Sequence, residues 1–183
     1  MPTVEQDWNF FQAGVAELEP YLLSDELYWP LASSRIGLPR LTIGGLVLAE
    51  TCLKVRMDKP DFLQLEQEKD RIRSKWYSAW ECKAGREIRA RLDLWRNYLV
   101  DFRQAPEAHA DAYPQEVRWR VILHLLSSEA TISTAESDEL GTLDEVLKAS
   151  FMEGKFIWDV ALVSAFQRHT CWYLYGSIMP QHN

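Results

Sequence analysis

Apolar residues recur at spacings of three and four along most of this chain, which is the period of an amphipathic α-helix. The first apolar seam follows Thr3 and Gln6, which stand at the spacing of a capping box. Its members are Val4, Trp8, Phe11, Val15, Leu18 and Leu22. We expect Pro20 and Ser24 to end or kink this helix, and a short helical piece that Ser24 caps to reach Trp29.

A second main helix is predicted from residue 41 to about residue 57. Its apolar positions again follow the helical period, although Gly44 and Gly45 weaken its start because glycine is a poor helix former. This segment therefore predicts a second main helix whose N-terminal end is weakened by the two glycines.

The longest predicted helix covers residues 61 to 104, a stretch of 44 residues with no proline and one glycine. Its apolar seam is unbroken and consists of Ile72, Trp76, Trp80, Ala84, Ile88, Leu92, Trp95, Leu99 and Phe102. A continuous helix of this length would extend about 66 Å. A compact domain of this size should measure only about 40 Å across.

Two arrangements resolve this difference in length. The helix can break near Gly85 into a helical hairpin, or it can stay continuous and project where another subunit covers it. The apolar seam keeps its phase across Gly85, and one glycine costs only about 1 kcal/mol in a helix interior. The pattern favours the continuous or gently kinked helix, while the break remains open.

The C-terminal third predicts a loop over residues 105 to 112 and then a helix from Pro114 to about Ser128. Two further segments have the form of capping boxes, one opening at Ser133 and one opening at Thr142. The second is expected to start a helix that Gly154 ends. Residues 155 to 177 are apolar on nearly all sides, so we expect them to form a central, buried helix.

Together these elements predict an all-α fold, a helical bundle of about five to seven helices with one long central helix or helical hairpin. Strand signals are almost absent. The chain contains no linker long enough to divide it, so residues 1–183 are expected to form a single all-α domain.

Composition and charge narrow the class of protein. The formal net charge is −7, and Cys52, Cys82 and Cys171 are far apart and odd in number. A reducing, cytoplasmic environment is the simplest interpretation. The N-terminus has no signal-peptide pattern, and no apolar run approaches the roughly 20 residues of a membrane span, so we expect no membrane association.

One segment is mildly basic. Residues 66 to 103 hold 10 Lys and Arg against 7 Asp and Glu, with tryptophans among them. Such a pattern can bind a phosphate backbone and stacked bases. The interleaved acids and the negative net charge favour the solvated face of a long helix instead, so nucleic-acid binding is not expected.

No signature of metal or cofactor chemistry appears. The chain lacks Glu-x-x-His and zinc spacings, a phosphate-binding glycine loop and a nucleophile elbow. We therefore expect no metal and no cofactor. The absence of these signatures favours a non-catalytic protein, although the sequence leaves catalysis open.

Three polar residues are candidates for a pocket. His169 shares a predicted helix face with aromatic residues, where it would act as a base or donor, or simply as a helix histidine satisfied by a neighbour. Glu87 and Arg91 stand four apart between Trp80 and Trp95. They are either pocket residues for an anionic or planar ligand, or a solvated ion pair.

Two functions follow from these patterns. The leading hypothesis is a non-catalytic interaction or assembly protein whose Trp-rich long helix associates with a second copy, most simply as a dimer, or with another protein. Trp76 and Trp80 are its interface candidates. The alternative is a bundle that binds a small, partly apolar ligand in an aromatic-lined pocket. That pocket would be lined by Trp80, Glu87, Arg91, Trp95, Trp158, His169 and Trp172.

Overall fold

The structure is a computed structural model, and it describes residues 2–31, 37–57 and 60–179. Helices account for 69% of it, and a two-stranded sheet is the only sheet within the described part of the chain. The predicted all-α class is therefore confirmed, including a long helix of 28 residues.

The described residues divide into two compact units. The N-terminal unit contains residues 2–31, 37–57, 60–87 and 125–131, and the C-terminal unit contains residues 88–124 and 132–179. Compactness alone does not establish that each unit folds separately, so the single-domain prediction stays a prediction.

The N-terminal unit begins with helices α1 (Val4–Ala16) and α2 (Leu18–Leu23), followed by α3 (Ile43–Arg56). The capping box predicted at the start of α1 is present, because the Thr3 hydroxyl accepts from the Gln6 amide and the Gln6 side chain accepts from the Thr3 amide. Helices α1 and α3 pack closely at Gly14. A Cβ there would lie 2.9 Å from the Leu46 side chain.

The predicted short helix from Ser24 to Trp29 is wrong. Ser24 instead caps the C-terminus of α2, and Trp29 forms an isolated antiparallel bridge with Leu41. The backbone amides and carbonyls of Trp29 and Leu41 exchange hydrogen bonds of 3.0 and 2.8 Å. These bonds satisfy the peptide groups that a helical turn would otherwise have paired locally.

The long helical segment consists of α4 (Pro60–Lys75) and α5 (Tyr77–Gln104), separated by a single turn residue, Trp76. Hydrogen bonds from Trp76 N to Ile72 O and from Trp80 N to Trp76 O continue the helical pattern through that residue. The alternative break near Gly85 is wrong, because α5 runs through it without interruption. The predicted seam is buried in the chain itself, apart from Trp76, which is half-buried.

The C-terminal unit contains α6 (Pro106–His109), α7 (Tyr113–Glu116), α8 (Arg118–Leu126, whose last two residues belong to the N-terminal unit) and α9 (Thr134–Lys148). The loop predicted over residues 105 to 112 is wrong, since α6 and a 3-10 turn occupy it. The capping box at Ser133 opens α9 as predicted. The one predicted at Thr142 is wrong, because Thr142 lies inside α9 and donates to the Asp138 carbonyl.

The central helix predicted over residues 155 to 177 is also wrong. Strands β1 (Phe151–Phe156) and β2 (Tyr175–Ile178) pair antiparallel, and two 3-10 turns lie between them. Val160, at the start of the first 3-10 turn, is 80% exposed. The apolar residues of this segment pack as an aromatic cluster rather than along a helix, as in the edge-on contact of Trp158 with Phe166 at 5.5 Å.

The ribbon of β1 and β2 requires glycine at position 176. Phe151 pairs with Ile178 and Glu153 pairs with Gly176 in the register of the two strands. A Cβ on Gly176 would clash with the Met152 carbonyl and lie 2.6 Å from the Phe151 ring. The missing side chain therefore lets the Phe151 ring cover the ribbon.

Candidate functional site

The apolar seam of α1 extends beyond the part of the helix that the core covers. Phe11 and Val15 are buried, whereas Trp8 is half-buried and Val4 is 38% exposed. Tryptophan is enriched in protein interfaces, so the partly exposed Trp8 is a candidate contact residue. The sequence gives no sign of this, because Val4 and Trp8 continue the same periodic pattern as the core residues.

Trp8 lies in a groove between α1 and α4, which we name the Trp8 groove. The two helices pack together through Phe11 and Phe62, whose ring centroids are 5.7 Å apart. Beside this contact the groove opens with a volume of about 630 Å³. It is lined by Trp8, Gln12, Asp61, Gln64, Leu65, Gln67, Glu68 and Arg71.

The groove is lined by both apolar and polar side chains. Trp8 and half-buried Leu65 supply apolar surface, and three exposed glutamines supply polar surface. The α4 residues Asp61, Leu65 and Glu68 stand at helical spacing, so they share one face of that helix. This distribution is the anatomy of a protein contact surface.

The charges of the groove are unequal. Arg71 forms two hydrogen bonds with the Glu68 carboxylate, from Nε at 2.8 Å and from Nη2 at 2.6 Å. These bonds lower the pKa of Glu68, since they stabilise its charged form. With Glu68 and Arg71 neutralising each other, the exposed carboxylate of Asp61 leaves the groove negative.

The two predicted interface residues are engaged within the N-terminal unit. Trp80 is completely buried, and its indole nitrogen donates to Glu129 at 2.9 Å. Trp80 is thus not a surface residue, and an interface through its ring has no support. Trp76 is half-buried, its nitrogen donates to Glu19 at 2.9 Å, and the Lys75 ammonium lies 5.1 Å from its ring centroid.

Glu87 is a buried residue and not part of a solvated face. Its side chain is completely buried in the N-terminal unit, and Oε2 accepts a 2.8 Å hydrogen bond from the Gly44 amide at the start of α3. A carboxylate at a helix N-terminus is favoured by both the free amide and the helix dipole. Glu87 therefore stabilises the glycine-containing turn that the sequence marks as weak.

Arg91 and Trp95 are buried in the C-terminal unit. The Arg91 guanidinium lies 4.7 Å from the ring centroid of Trp119. Arg91 and Glu87 are both buried, so the solvent exposure predicted for these two residues is wrong. Trp95 stacks on Tyr98 at 5.6 Å. Its buried indole nitrogen has no hydrogen-bond partner among the described residues.

The remaining pocket candidates belong to the C-terminal segment of the same unit. Trp158 is buried and donates to the Pro114 carbonyl at 2.8 Å. Trp172 is half-buried, with the Lys148 ammonium 5.6 Å from its ring centroid. His169 is exposed and lies outside any helix, so its predicted helical face with the aromatic residues is wrong.

The predicted pocket residues line neither the Trp8 groove nor a second groove in the C-terminal unit. Trp80 and Glu87 belong to the N-terminal unit, and the other five belong to the C-terminal unit. The second groove lies in the C-terminal unit and is lined by a different set of residues. The aromatic-pocket hypothesis stays a prediction.

The predicted basic stretch carries its own neutralising partners in the N-terminal unit. Arg73 pairs with Glu129 at 2.7 Å, and the Lys69 ammonium lies 2.6 Å from the Glu50 carboxylate. These pairs withdraw positive charge from the surface, which disfavours the salt-dependent phosphate contacts on which nucleic-acid binding relies.

Metal-binding clusters and membrane-spanning helices are both absent from the described residues. Residues 2–31, 37–57 and 60–179 contain no group of three or more His, Cys, Asp or Glu side chains that could hold a metal ion. No helix among those residues combines the length and apolarity needed to cross a bilayer. None of the three cysteines forms a disulfide among the described residues; Cys82 is exposed and the other two are buried.

Comparison with known proteins adds no relative: the chain matches no protein-family model, no curated protein and no solved structure. Its function must therefore be argued from the chemistry of its own surfaces.

Proposed function

We propose that this protein is a non-catalytic interaction protein that binds a basic segment of a partner protein in the Trp8 groove. The observation that carries this proposal is the half-buried Trp8, which lies in a groove with apolar and polar lining residues and with an exposed Asp61 carboxylate that no described basic residue pairs with. The Trp-rich segment of residues 61 to 104 contributes one wall of the groove through α4.

The chemistry of the groove selects the partner. A tryptophan ring attracts Lys and Arg side chains through cation–π interactions and covers their aliphatic stems. Asp61 adds an opposite charge, and the glutamine amides supply donors and acceptors to a peptide backbone. A basic segment with neighbouring apolar residues satisfies all three features at once.

Association with a second copy is less favoured by charge. The chain carries a formal net charge of −7, so two copies repel each other, and the groove itself is negative. The seam of the long helix is already buried within the chain, which removes the need for another subunit to cover it. A homodimer is the main alternative occupant of the groove, and native mass spectrometry of the wild-type protein tests for it.

The test is a selection from a random peptide library displayed on phage, with immobilised wild-type protein. We expect enrichment of peptides with Lys or Arg next to apolar residues. Trp8→Ala should abolish that enrichment, and Asp61→Lys should shift it away from basic peptides. Tyr77→Ala is the matched control, because Tyr77 is an aromatic residue of the same unit that is 53% exposed and lies outside the groove.

Two results would contradict the proposal. One is a selection that enriches the same peptides on wild-type and Trp8→Ala protein. The other is a wild-type dimer in native mass spectra that dissociates in Trp8→Ala, because the occupant of the groove would then be a second copy. Circular dichroism of each variant checks that the helices are retained.

The alternative function, a small and partly apolar ligand in an aromatic-lined pocket, has one supporting observation. The buried nitrogen of Trp95 is a donor without a partner among the described residues, and an unsatisfied buried donor costs about 1–3 kcal/mol. A ligand acceptor at that nitrogen would recover this cost. A ligand-dependent rise in melting temperature that Trp95→Phe removes would support this function over the first.

A further inference from the structure

A second groove lies in the C-terminal unit, between the end of α5 and the second half of α9. Its volume is about 610 Å³, within the range of roughly 300–1,000 Å³ that is typical of small-molecule sites. We name it the Arg103 groove. It is lined by Phe102, Arg103, Pro106, Thr142, Glu145, Val146, Ala149 and Ser150.

The lining of the groove includes apolar side chains that a ligand can contact. Phe102 is 4% exposed, and Pro106 and Val146 are partly exposed. Ala149, which directly follows α9, contributes only a methyl group to the lining. The apolar body of a small molecule would bury its surface here, with a gain of roughly 25 cal/mol per Å².

The charged groups of the groove are one neutralised acid and one basic residue without an acidic partner. The Glu145 carboxylate lies 2.7 Å from the Lys148 ammonium, one turn further along α9. Arg103 is exposed in the last turn of α5, and no carboxylate among the described residues pairs with its guanidinium. Arg103 is therefore the charged group of the lining that can pair with an anionic ligand.

Arg103 is a better donor to an anionic ligand than the Thr142 hydroxyl of the lining. Thr142 donates its hydroxyl hydrogen to the Asp138 carbonyl at 3.0 Å, so its oxygen is left only as an acceptor. Arg103 supplies the planar set of N–H donors that matches a carboxylate in two parallel hydrogen bonds. A lysine would offer the charge without that planar geometry.

We propose that the Arg103 groove binds a small amphipathic carboxylate. The carboxylate is held by the Arg103 guanidinium, and the apolar body lies on Phe102, Pro106 and Val146. This site is separate from the Trp8 groove and does not depend on the interaction function proposed there, because every residue of it belongs to the C-terminal unit.

The test uses 4-phenylbutyrate as the probe and 4-phenylbutanamide as its uncharged analogue, titrated into the full chain and followed by two-dimensional NMR. We expect the wild-type protein to bind the carboxylate at least tenfold more tightly than the amide. Arg103→Gln should lower carboxylate affinity to that of the amide, and Arg103→Lys should give an intermediate affinity. Because Arg103 is exposed, these variants are expected to fold.

Arg168→Gln is the matched control, since Arg168 is an exposed arginine of the same unit outside the groove. It should leave both affinities unchanged. The proposal is overturned if the wild-type protein binds acid and amide equally, if it binds neither, or if Arg168→Gln weakens carboxylate binding as much as Arg103→Gln does. The last result would show that the carboxylate is attracted to exposed positive charge anywhere on the protein and not to a site at Arg103.

Discussion

Arg120 and Asp144 form a two-pronged ion pair inside the C-terminal unit. The Arg120 Nε donates to Asp144 Oδ1 and its Nη2 donates to Oδ2, both at 2.8 Å, and the guanidinium lies 4.6 Å from the Tyr173 ring centroid. The pair ties α8 to α9, and the ring contact ties both helices to the C-terminal segment. Since both side chains are largely buried, water is a poor substitute partner for either charge.

Asp144→Ala should therefore lower the free energy of unfolding by about 3–5 kcal/mol, because it leaves the Arg120 guanidinium buried without its counter-charge. Arg120→Met combined with Asp144→Leu should cost less, since the double change removes both charges together. Urea unfolding followed by circular dichroism measures each difference. Equal losses in the single and double variants would show that the ion pair does not explain the stability.

An exposed ion pair of the same unit provides the comparison. The Arg168 guanidinium lies 3.8 Å from the Glu153 carboxylate, and both side chains are more than half exposed. Glu153→Ala should change the urea midpoint little, because exposed pairs contribute little in water.

Glu87 provides a second prediction, in the N-terminal unit. Glu87→Ala removes the acceptor of the Gly44 amide at the start of α3 and should lower the free energy of unfolding by about 1–3 kcal/mol. Glu87→Gln keeps an acceptor oxygen at that position but loses the negative charge, so it should cost less. Thermal and urea unfolding of the two variants provide the comparison, and a larger loss for Glu87→Gln would contradict the capping role.

Local signals predicted the helices well where a capping side chain and an apolar seam agreed. Thr3 and Ser133 both start helices as their capping boxes indicate. Thr142 has the same spacing to Glu145, but its amide is already paired within a continuing helix, so its hydroxyl turns back to Asp138. Whether a capping sequence starts a helix depends on what precedes it, which the four-residue pattern does not contain.

The C-terminal segment shows where periodicity fails. An apolar run around Val160 and Phe166 fits a buried helix, yet these residues occupy short turns held by contacts distant in sequence. Trp158, for example, is fixed by the Pro114 carbonyl, 44 residues earlier. Such tertiary contacts override local preference and leave no trace in the period of the segment itself.

The sequence pattern did not identify the Trp8 groove either. Trp8 belongs to a seam whose next members, Phe11 and Val15, are buried, whereas Trp8 itself is half-buried. Conversely, Trp80 has the same periodic setting and is completely buried. Residue type and spacing identify apolar positions, but the depth of each position is a property of the packed structure.

Gly176 provides a third prediction, with Gly154 of the same ribbon as the matched control. Gly176→Ala should disrupt the pairing of β1 with β2, because its Cβ would clash with the Met152 carbonyl and the Phe151 ring. Gly154→Ala should be tolerated, since its Cβ would meet only the Gly176 Cα at 3.6 Å, an ordinary contact. Amide hydrogen exchange of residues 151–156 and 175–178 measures the pairing. Equal protection in the two variants would contradict the prediction.

His124 makes stability depend on pH near neutrality. Burial and the nearby Arg120 guanidinium lower the pKa of His124 below its ordinary value of 6.5. Between the lowered pKa and 6.5 the unfolded chain binds more protons than the folded chain, so the free energy of unfolding rises with pH across that window and levels off above it. His124→Gln should flatten this rise in the free energy of unfolding. Urea unfolding between about pH 5.5 and 7.5 measures the slope, because most carboxylates titrate below that range. His169→Gln is the control, because the His169 side chain is exposed whereas His124 is half-buried. If His124→Gln leaves the slope unchanged, the pH dependence arises from another group.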